Sequence, residues 1–600
     1  MTDVRVTGVD VEGLFALLGK HLYTTPAVAL RELVQNAHDS IVRRRLADPA
    51  WAGGRIDVAT DVARGTLTVT DDGAGMTDDD VVGMLATIGA GATRLARDAT
   101  GDEELIGLFG VGFLSAFVIG RRVVVHTTPA SDPGTGWIYT SAGGRQYTLA
   151  PAAPRAPGAT VTVELQPDAR HLANGEVVED LAARYFALLG VPVYVDGSDQ
   201  PINDVAPPWR DPGGAAEHPV AAVRRRLEFA ARFENRFEPI CAIDVVPDGG
   251  SDVTGLVWVQ SGGTYGTSDN RNVSVFVRGM LLDDDARDLL PRWAGFCGAV
   301  LESRRLTPTA SREDLQRDEH FDAAQRSVAR QLVTGLAGVA HTRPDAWRTV
   351  LRRHNESLLG AALADPSLFD LLADSLQVPT SEGDLTAAEL ARRGGGRLHV
   401  SHGEAGGFEE TVFRAMKVPI AMGLRYGVVP FAREWAQRAG ATLVELGTAA
   451  GDRQVFARAG MPDDDRLWLA AALADEGEEV VPSRFAPGSL PLVVVPDREV
   501  ELKRRIESDE TDLRIARAAL ALARAHTATI DGTVERRVYV NLDSPVVRRL
   551  LDDPGRDAGS VVVALLRSFK GLTAGTRGGN LDASLAQFSD ALLSLLDGGA

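Results

Sequence analysis

The chain has 600 residues, 44% of them apolar and 24% charged, and a formal net charge of −19. That length leaves room for about three to five folding units with cores of their own, and the acidic balance speaks against nucleic acid as a bulk partner, because phosphate binding needs a positive footprint. No run approaches about 18 uninterrupted apolar residues. The opening MTDVRVTGVD has no basic or apolar leader region, and two cysteines, Cys241 and Cys297, cannot build a disulfide framework. A cytoplasmic chain without a membrane span is expected.

The first informative stretch is ALRELVQNAHDSI, from Ala29 to Ile41. Read as a helix, it puts Leu30, Leu33, Val34, Ala37 and Ile41 on one side. Glu32, Asn36 and Asp39 fall on the other, within roughly 60° of each other. A solvated outer face accounts for such a polar stripe, and so does a site. The following segments IDVAT and TLTVT alternate as paired strands do. The second runs into Asp71-Asp72-Gly73-Ala74-Gly75-Met76, where Gly73 and Gly75 allow a tight turn and close approach of a ligand to the backbone. Asp71 at the strand end can accept a hydrogen bond from an amine such as that of adenine, although a plain Asp-Gly turn reads the same way. TIGAGATR, from Thr87, and GLFGVGF, from Gly107 to Phe113, enclose a small, polar, glycine-punctuated span that suits a lid. Gly107, Gly110 and Gly112 then open an apolar helical run from Phe113 to Ile119. Backbone N–H groups on such a turn can hold polyphosphate, and a flexible turn remains the alternative.

ExxxNxxD, DxGxGM and GxxGxGF in that order resemble the GHKL ATPases, a group that includes gyrase, heat-shock protein 90, histidine kinases and MutL. LRELVQNAHDSI, TDDGAGMT, LATIGAGATR and LIGLFGVGFLSAFVI resemble the heat-shock protein 90 family in its bacterial, HtpG-like form. The resemblance implies an N-terminal Bergerat α/β sandwich that binds ATP and Mg²⁺. It implies that Glu32 activates water, that Asn36 holds Mg²⁺ and that Asp71 reads adenine. Gly75 and Met76 would line the adenine pocket, and Gly110, Val111, Gly112 and Phe113 would bind phosphate through the backbone. Asp39, Gly73, Thr87 and Gly107 complete the implied nucleotide-binding set. Within this domain three residues depart from the family pattern: Ala90 stands for a lid Lys, Leu108 for Gln, and Ala159 for the Thr of the strand PGATVTVEL.

PINDVAPPWRDPGGAAEHP reads as a short interdomain linker. Beyond it, LVWVQ and VSVFVR are strand-like. By composition Arg312 is an Arg on a polar turn beside Glu313 and Asp314. The segment from Val273 to Gln316 resembles the family's middle domain, however, and this implies that Arg312 reaches the ATP γ-phosphate with Gln316 as its neighbour. Thr309 replaces an Asn there. RLHVS and ATLVELG suggest a smaller α/β part. In the last unit RRVYVNLDSPVVRRLL resembles a family segment, with Ser544 in place of His. An apolar helix over Val561 to Phe569 precedes Leu581, Leu585, Phe588, Leu592 and Leu595 at near-heptad spacing. This pattern predicts a two-fold dimer interface, with an internal helical hairpin as the alternative. The chain ends SLLDGGA, so no tail for TPR co-chaperones is implied.

The expected fold class is α+β multidomain. Its parts are an ATP-binding domain over 1–205, a linker over 206–218, an α/β middle domain over 219–460 (larger part 219–340, smaller part 341–460) and a mainly helical dimerisation domain over 461–600. The function implied is an ATP-dependent molecular chaperone, a homodimeric clamp acting on non-native client proteins. A nucleotide-gated scaffold with little turnover is the first rival, motivated by Ala90, Leu108 and Ala159. A DNA-linked GHKL ATPase is the second, and the acidic balance speaks against it.

Overall fold

The computed structural model describes residues 26–85, 112–210, 217–266, 268–309, 314–402, 408–511, 530, 532–553, 555, 557, 560–573 and 581–597. The fold is α+β and multidomain. Two compact units divide the chain: Met1–Gly263 with Ser268–Arg353, and Thr264–Thr267 with His354–Ala600.

In the first unit, helix α1 (Ala27–Ala47) precedes strands β1 (Ile56–Asp61) and β2 (Thr66–Asp71). Strands β3 (Gly120–Thr128), β4 (Gly136–Ala142), β5 (Tyr147–Ala152), β6 (Gly158–Leu165) and β7 (Val193–Val195) complete a seven-stranded sheet in the order β5-β4-β3-β6-β2-β1-β7. All pairs are antiparallel except β1 with β7. Leu30, Leu33, Val34, Ala37 and Ile41 of α1 are all buried in one core with Ile56, Val58, Leu67, Val69, Val123, Val125 and Val163. The Leu, Val and Ile side chains each contribute about 1.5–3 kcal/mol by leaving water, and Ala37 less, so the apolar stripe helps hold the helix to the sheet.

Strand alternation then places polar residues at the rim of this core. On β2 the inward positions are Leu67, Val69 and Asp71. On β3 they are Val123, Val125 and Thr127. Ala159 on β6 pairs with Asp71 on one side and Thr127 on the other. Asp71, Ala159 and Thr127 thus form a row across three strands where the core ends.

A second sheet in this unit contains β8 (Pro239–Val245), β9 (Thr254–Gln260), β10 (Asn272–Val277), β11 (Met280–Asp283) and β12 (Cys297–Ser303), in the order β11-β10-β12-β9-β8. Within the expected linker, Trp209 sits edge-on to Phe229 at 5.3 Å and donates from Nε1 to Glu302 at 2.9 Å. The indole thereby anchors that stretch.

The second unit has a five-stranded sheet, in the order β14-β13-β16-β15-β17, built from β13 (Gln377–Thr380), β14 (Gly383–Thr386), β15 (Arg397–Ser401), β16 (Ile420–Met422) and β17 (Thr442–Glu445). A four-stranded sheet follows, with β18 (Ala457–Arg458), β19 (Glu478–Arg484), β20 (Leu492–Pro496) and β21 (Arg536–Asn541) in the order β18-β19-β21-β20. The described residues of 461–600 therefore carry three strands beside their helices. These strands come from short apolar runs that periodicity does not separate from helix. Helices Val561–Thr573 and Leu581–Asp597 pack against each other closely enough that a Cβ on Gly571 would stand 2.1 Å from Ser584 Oγ. The expected helix over IARAALALARAH lies outside the described residues.

Candidate nucleotide site

The polar side of α1 is not a solvated face. Glu32 and Asp39 are 1% and 2% exposed, and Asn36 is exposed between them. Arg31 Nη2 lies 3.8 Å from Glu32 Oε1, and His38 Nδ1 lies 3.5 Å from Asp39 Oδ1. Burying carboxylates beside a core is costly, so such a stripe persists where the charges have partners or a task.

The turn after β2 is packed against this helix through its glycines. Ala74 N–H donates to Ser40 O at 3.0 Å, and a Cβ on Gly73 would stand 2.4 Å from Ser40 Oγ. Gly75 has φ +63°, and a Cβ there would stand 2.0 Å from Thr128 O, so both the conformation and the space require glycine. Met76 N–H donates to Thr127 Oγ1 at 2.9 Å, which in turn donates to Gly158 O at 3.0 Å.

Asp71 is 5% exposed and accepts from Ser40 Oγ and from Gly73 N–H, each at 2.9 Å. Both bonds fall on Oδ1, and among the described residues no donor reaches Oδ2. Burial pushes the carboxyl up to about 6, against the pull of those two donors and of the nearby Arg43 and Arg155. One oxygen is thus fixed by the fold.

Gly112 opens the short helical run that ends in Ser115–Ile119, and Ser115 Oγ donates to its carbonyl at 2.6 Å. A Cβ on Gly112 would stand 2.5 Å from Glu32 Oε2 and 3.9 Å from Asn36 Oδ1. The glycine backbone therefore lies directly on the carboxylate of α1. Phe113 sits edge-on to Phe117 at 5.8 Å and to Tyr139 at 6.2 Å, which fixes the start of that run. The Asn36 amide oxygen, exposed beside Glu32, suits Mg²⁺, which takes one or two protein oxygens and completes its shell with water and substrate phosphate. Among the described residues no cluster of three acidic, His or Cys side chains could cage a metal alone.

Known proteins resemble this chain over two separate stretches. Residues 23–142 match the family of histidine kinase-, DNA gyrase B- and HSP90-like ATPases, and residues 259–391 match the Hsp90 protein family. Over these stretches the chain is similar to the heat-shock protein 90 family. It is 28% identical over 410 residues to the chaperone protein HtpG of Roseobacter denitrificans, covering 64% of this chain and 65% of that one. Identity is 31% over 347 residues with HtpG of Methylobacterium nodulans, covering 55% and 56%. It is 26% over 416 residues with HtpG of Myxococcus xanthus, covering 64% and 63%. The chain thus spans less than two thirds of the length of these relatives.

Of the residues that the heat-shock protein 90 resemblance singles out, Glu32, Asn36, Asp39, Asp71, Gly73, Gly75, Met76, Gly112 and Phe113 lie on the polar side of α1 or in the two turns packed against it. Thr87, Gly107, Gly110, Val111 and Arg312 lie outside the described residues. Gln316 donates from Nε2 to Pro308 O at 2.9 Å and from its backbone to Thr307 O at 2.8 Å, which ties its own loop together. The sequence reading missed Ser40 and Thr127, the hydroxyls that hold Asp71 and Met76. The position of Thr127, in phase with Val123 and Val125 but polar, was the available signal.

Proposed function

We propose that this chain binds Mg-ATP on the polar side of α1, hydrolyses it to ADP and phosphate, and uses the cycle to drive a homodimeric molecular chaperone that acts on non-native proteins. The observation that carries the reading is Asp71, a buried carboxylate whose Oδ1 takes two protein donors and whose Oδ2 is left for a ligand amine. An adenine amine supplies that donor.

In this reading Asp71 and the Gly73–Met76 turn seat the base, and the glycine backbone at 110–113 takes the phosphates. Asn36 holds Mg²⁺, which neutralises phosphate charge when bound. Glu32, buried against Gly112, accepts a proton from the attacking water, a task worth about 10²–10⁴-fold in rate. Asp39 supports the same face of the helix. Arg312 takes the role the resemblance gives it: a guanidinium delivered from the middle domain stabilises charge developing on the γ-phosphoryl group and couples hydrolysis to domain docking, with Gln316 beside it.

Leu585, Phe588 and Leu592 are 46%, 37% and 41% exposed on the last helix, and Leu593 and Leu596 are 58% and 74% exposed. Such a stripe left open after the two C-terminal helices have packed together supports a homodimer through this region. The names of the relatives, all chaperones, support non-native proteins as clients. Among the described residues no helix is long and apolar enough to cross a membrane, which is compatible with the cytoplasmic location proposed here.

Steady-state Mg-ATP turnover of wild type and Glu32→Ala, with ATP binding measured on the same samples, tests the proposal. Turnover lost by at least about a hundredfold with binding retained supports it. ATP binding without wild-type turnover selects the second reading, a nucleotide-gated scaffold, which Ala159 opposite Asp71 favours. A wild type that binds no ATP contradicts both.

A further inference from the structure

We propose that Arg155 is a second reader of the base: its guanidinium donates to ring nitrogen N1, the acceptor beside the adenine amine that Asp71 takes. The proposal rests on the nucleotide reading above and adds a specificity residue to that pocket.

Adenine presents its amine and N1 side by side, so a pocket that accepts from one gains by donating to the other. The strand ends beside Asp71 offer no such donor. Ala159, the cross-strand neighbour of Asp71, carries only a methyl. Thr127, next in the row, already donates to Gly158 O and accepts from Met76 N–H. Arg155 enters from the segment between β5 and β6. Its backbone N–H donates to Thr128 Oγ1 at 3.0 Å, and the carbonyl of Thr128 lies against Gly75. The segment therefore runs alongside the DxGxGM turn.

The side chain is half-buried, and its Nη1 is fully buried with no hydrogen-bond partner among the described residues. A charged donor left so is costly, and the fold tolerates it where a ligand completes the bond. Its charge faces Asp71 and Asp72, and burial lowers its pKa from the usual arginine value. An open carboxylate oxygen and an unspent guanidinium N–H together form an acceptor–donor pair, the complement of the amine–N1 edge.

Calorimetric titration of the full chain with ADP and with 1-deaza-ADP, which carries C–H in place of N1, tests this in wild type and Arg155→Ala. Wild type is expected to prefer ADP by about tenfold or more, the worth of a hydrogen bond from a charged donor. Arg155→Ala is expected to weaken ADP and leave 1-deaza-ADP unchanged, so that the preference falls to within about twofold. Equal weakening of both ligands, or a preference that survives the substitution, overturns the proposal and reduces Arg155 to general charge compensation. Should the Ala variant fold poorly by thermal melting, Arg155→Gln carries the same test, because it keeps a neutral donor and is expected to retain part of the preference. Wild type that binds ADP without preference overturns the role of Arg155 and leaves the nucleotide reading standing. Wild type that binds neither ligand overturns both.

Discussion

The two ends of the described chain invert the usual burial rule in opposite senses. On α1 two carboxylates, Glu32 and Asp39, are almost wholly buried, whereas on the last helix Leu585, Phe588, Leu592, Leu593 and Leu596 stand open. Buried charge and exposed contiguous apolar surface are each costly, and each is informative where a solvated Lys or a buried Leu is not. The first inversion holds carboxylates inside the fold beside Arg31 and His38. The second calls for a partner that meets apolar surface with apolar surface. The proposed function, nucleotide on α1 and a second copy on the last helix, accounts for both exceptions.

The apolar exception breaks most visibly. Leu585→Asp combined with Phe588→Asp places two unpaired charges in the proposed interface, and the dimer dissociation constant measured by sedimentation is expected to rise by at least about a hundredfold. Unchanged self-association would assign the stripe to some other use. The buried-carboxylate exception breaks more subtly. Gly112→Ala puts a methyl 2.5 Å from Glu32 Oε2, so the carboxylate has to move. Turnover is expected to fall about 10- to 100-fold, with ATP affinity within about threefold of wild type, because displacing a catalytic group by about 1 Å carries that cost. Equal loss of binding and turnover would make Gly112 a folding residue alone.

A third, smaller effect contrasts the units by pH. His399 in the second unit is 2% exposed, edge-on to Phe413 at 4.9 Å, and burial lowers its pKa from 6.5 to about 4. The unfolded chain takes up a proton between those values that the folded chain refuses, so stability is lost as pH falls from about 6.5 to 4. At pH 5 the loss is about 2 kcal/mol. His399→Phe is expected to flatten that slope in hydrogen exchange of β15 and β16. An unaltered slope would place the acid sensitivity elsewhere.

What the sequence discloses here follows from the range of each signal. Periodicity disclosed five of the six α1 residues in the core, all but Ala29, because burial against a sheet selects every third or fourth residue. The same periodicity could not say whether Glu32 and Asp39 face water, since the helix shows only that they share a side. That decision comes from Gly73 and Gly112, whose missing side chains let two distant turns close over the helix. Ser40 was not legible, because it acts on a residue 31 positions away, and Thr127, acting 51 positions away, showed only as a polar residue in phase with Val123 and Val125. The three late strands escaped for a related reason: β19 and β21 pair in parallel across the intervening β20, leaving no hairpin turn to mark them.

The central claim is that the open side of Asp71 takes the ligand. With the carboxyl held at about 6 rather than 3.8, folding favours its protonated form, so this group makes the ligand-free protein less stable as pH rises between those values. By pH 7 the cost is about 3 kcal/mol. Calorimetric titration of wild type and Asp71→Asn with ADP at pH 7.5, with thermal unfolding recorded on both, tests the claim directly. The account predicts that Asp71→Asn unfolds at a higher temperature without ligand, gaining about 1–3 kcal/mol, yet binds ADP at least about a hundredfold more weakly. An Asp71→Asn protein that binds ADP as wild type does would contradict it.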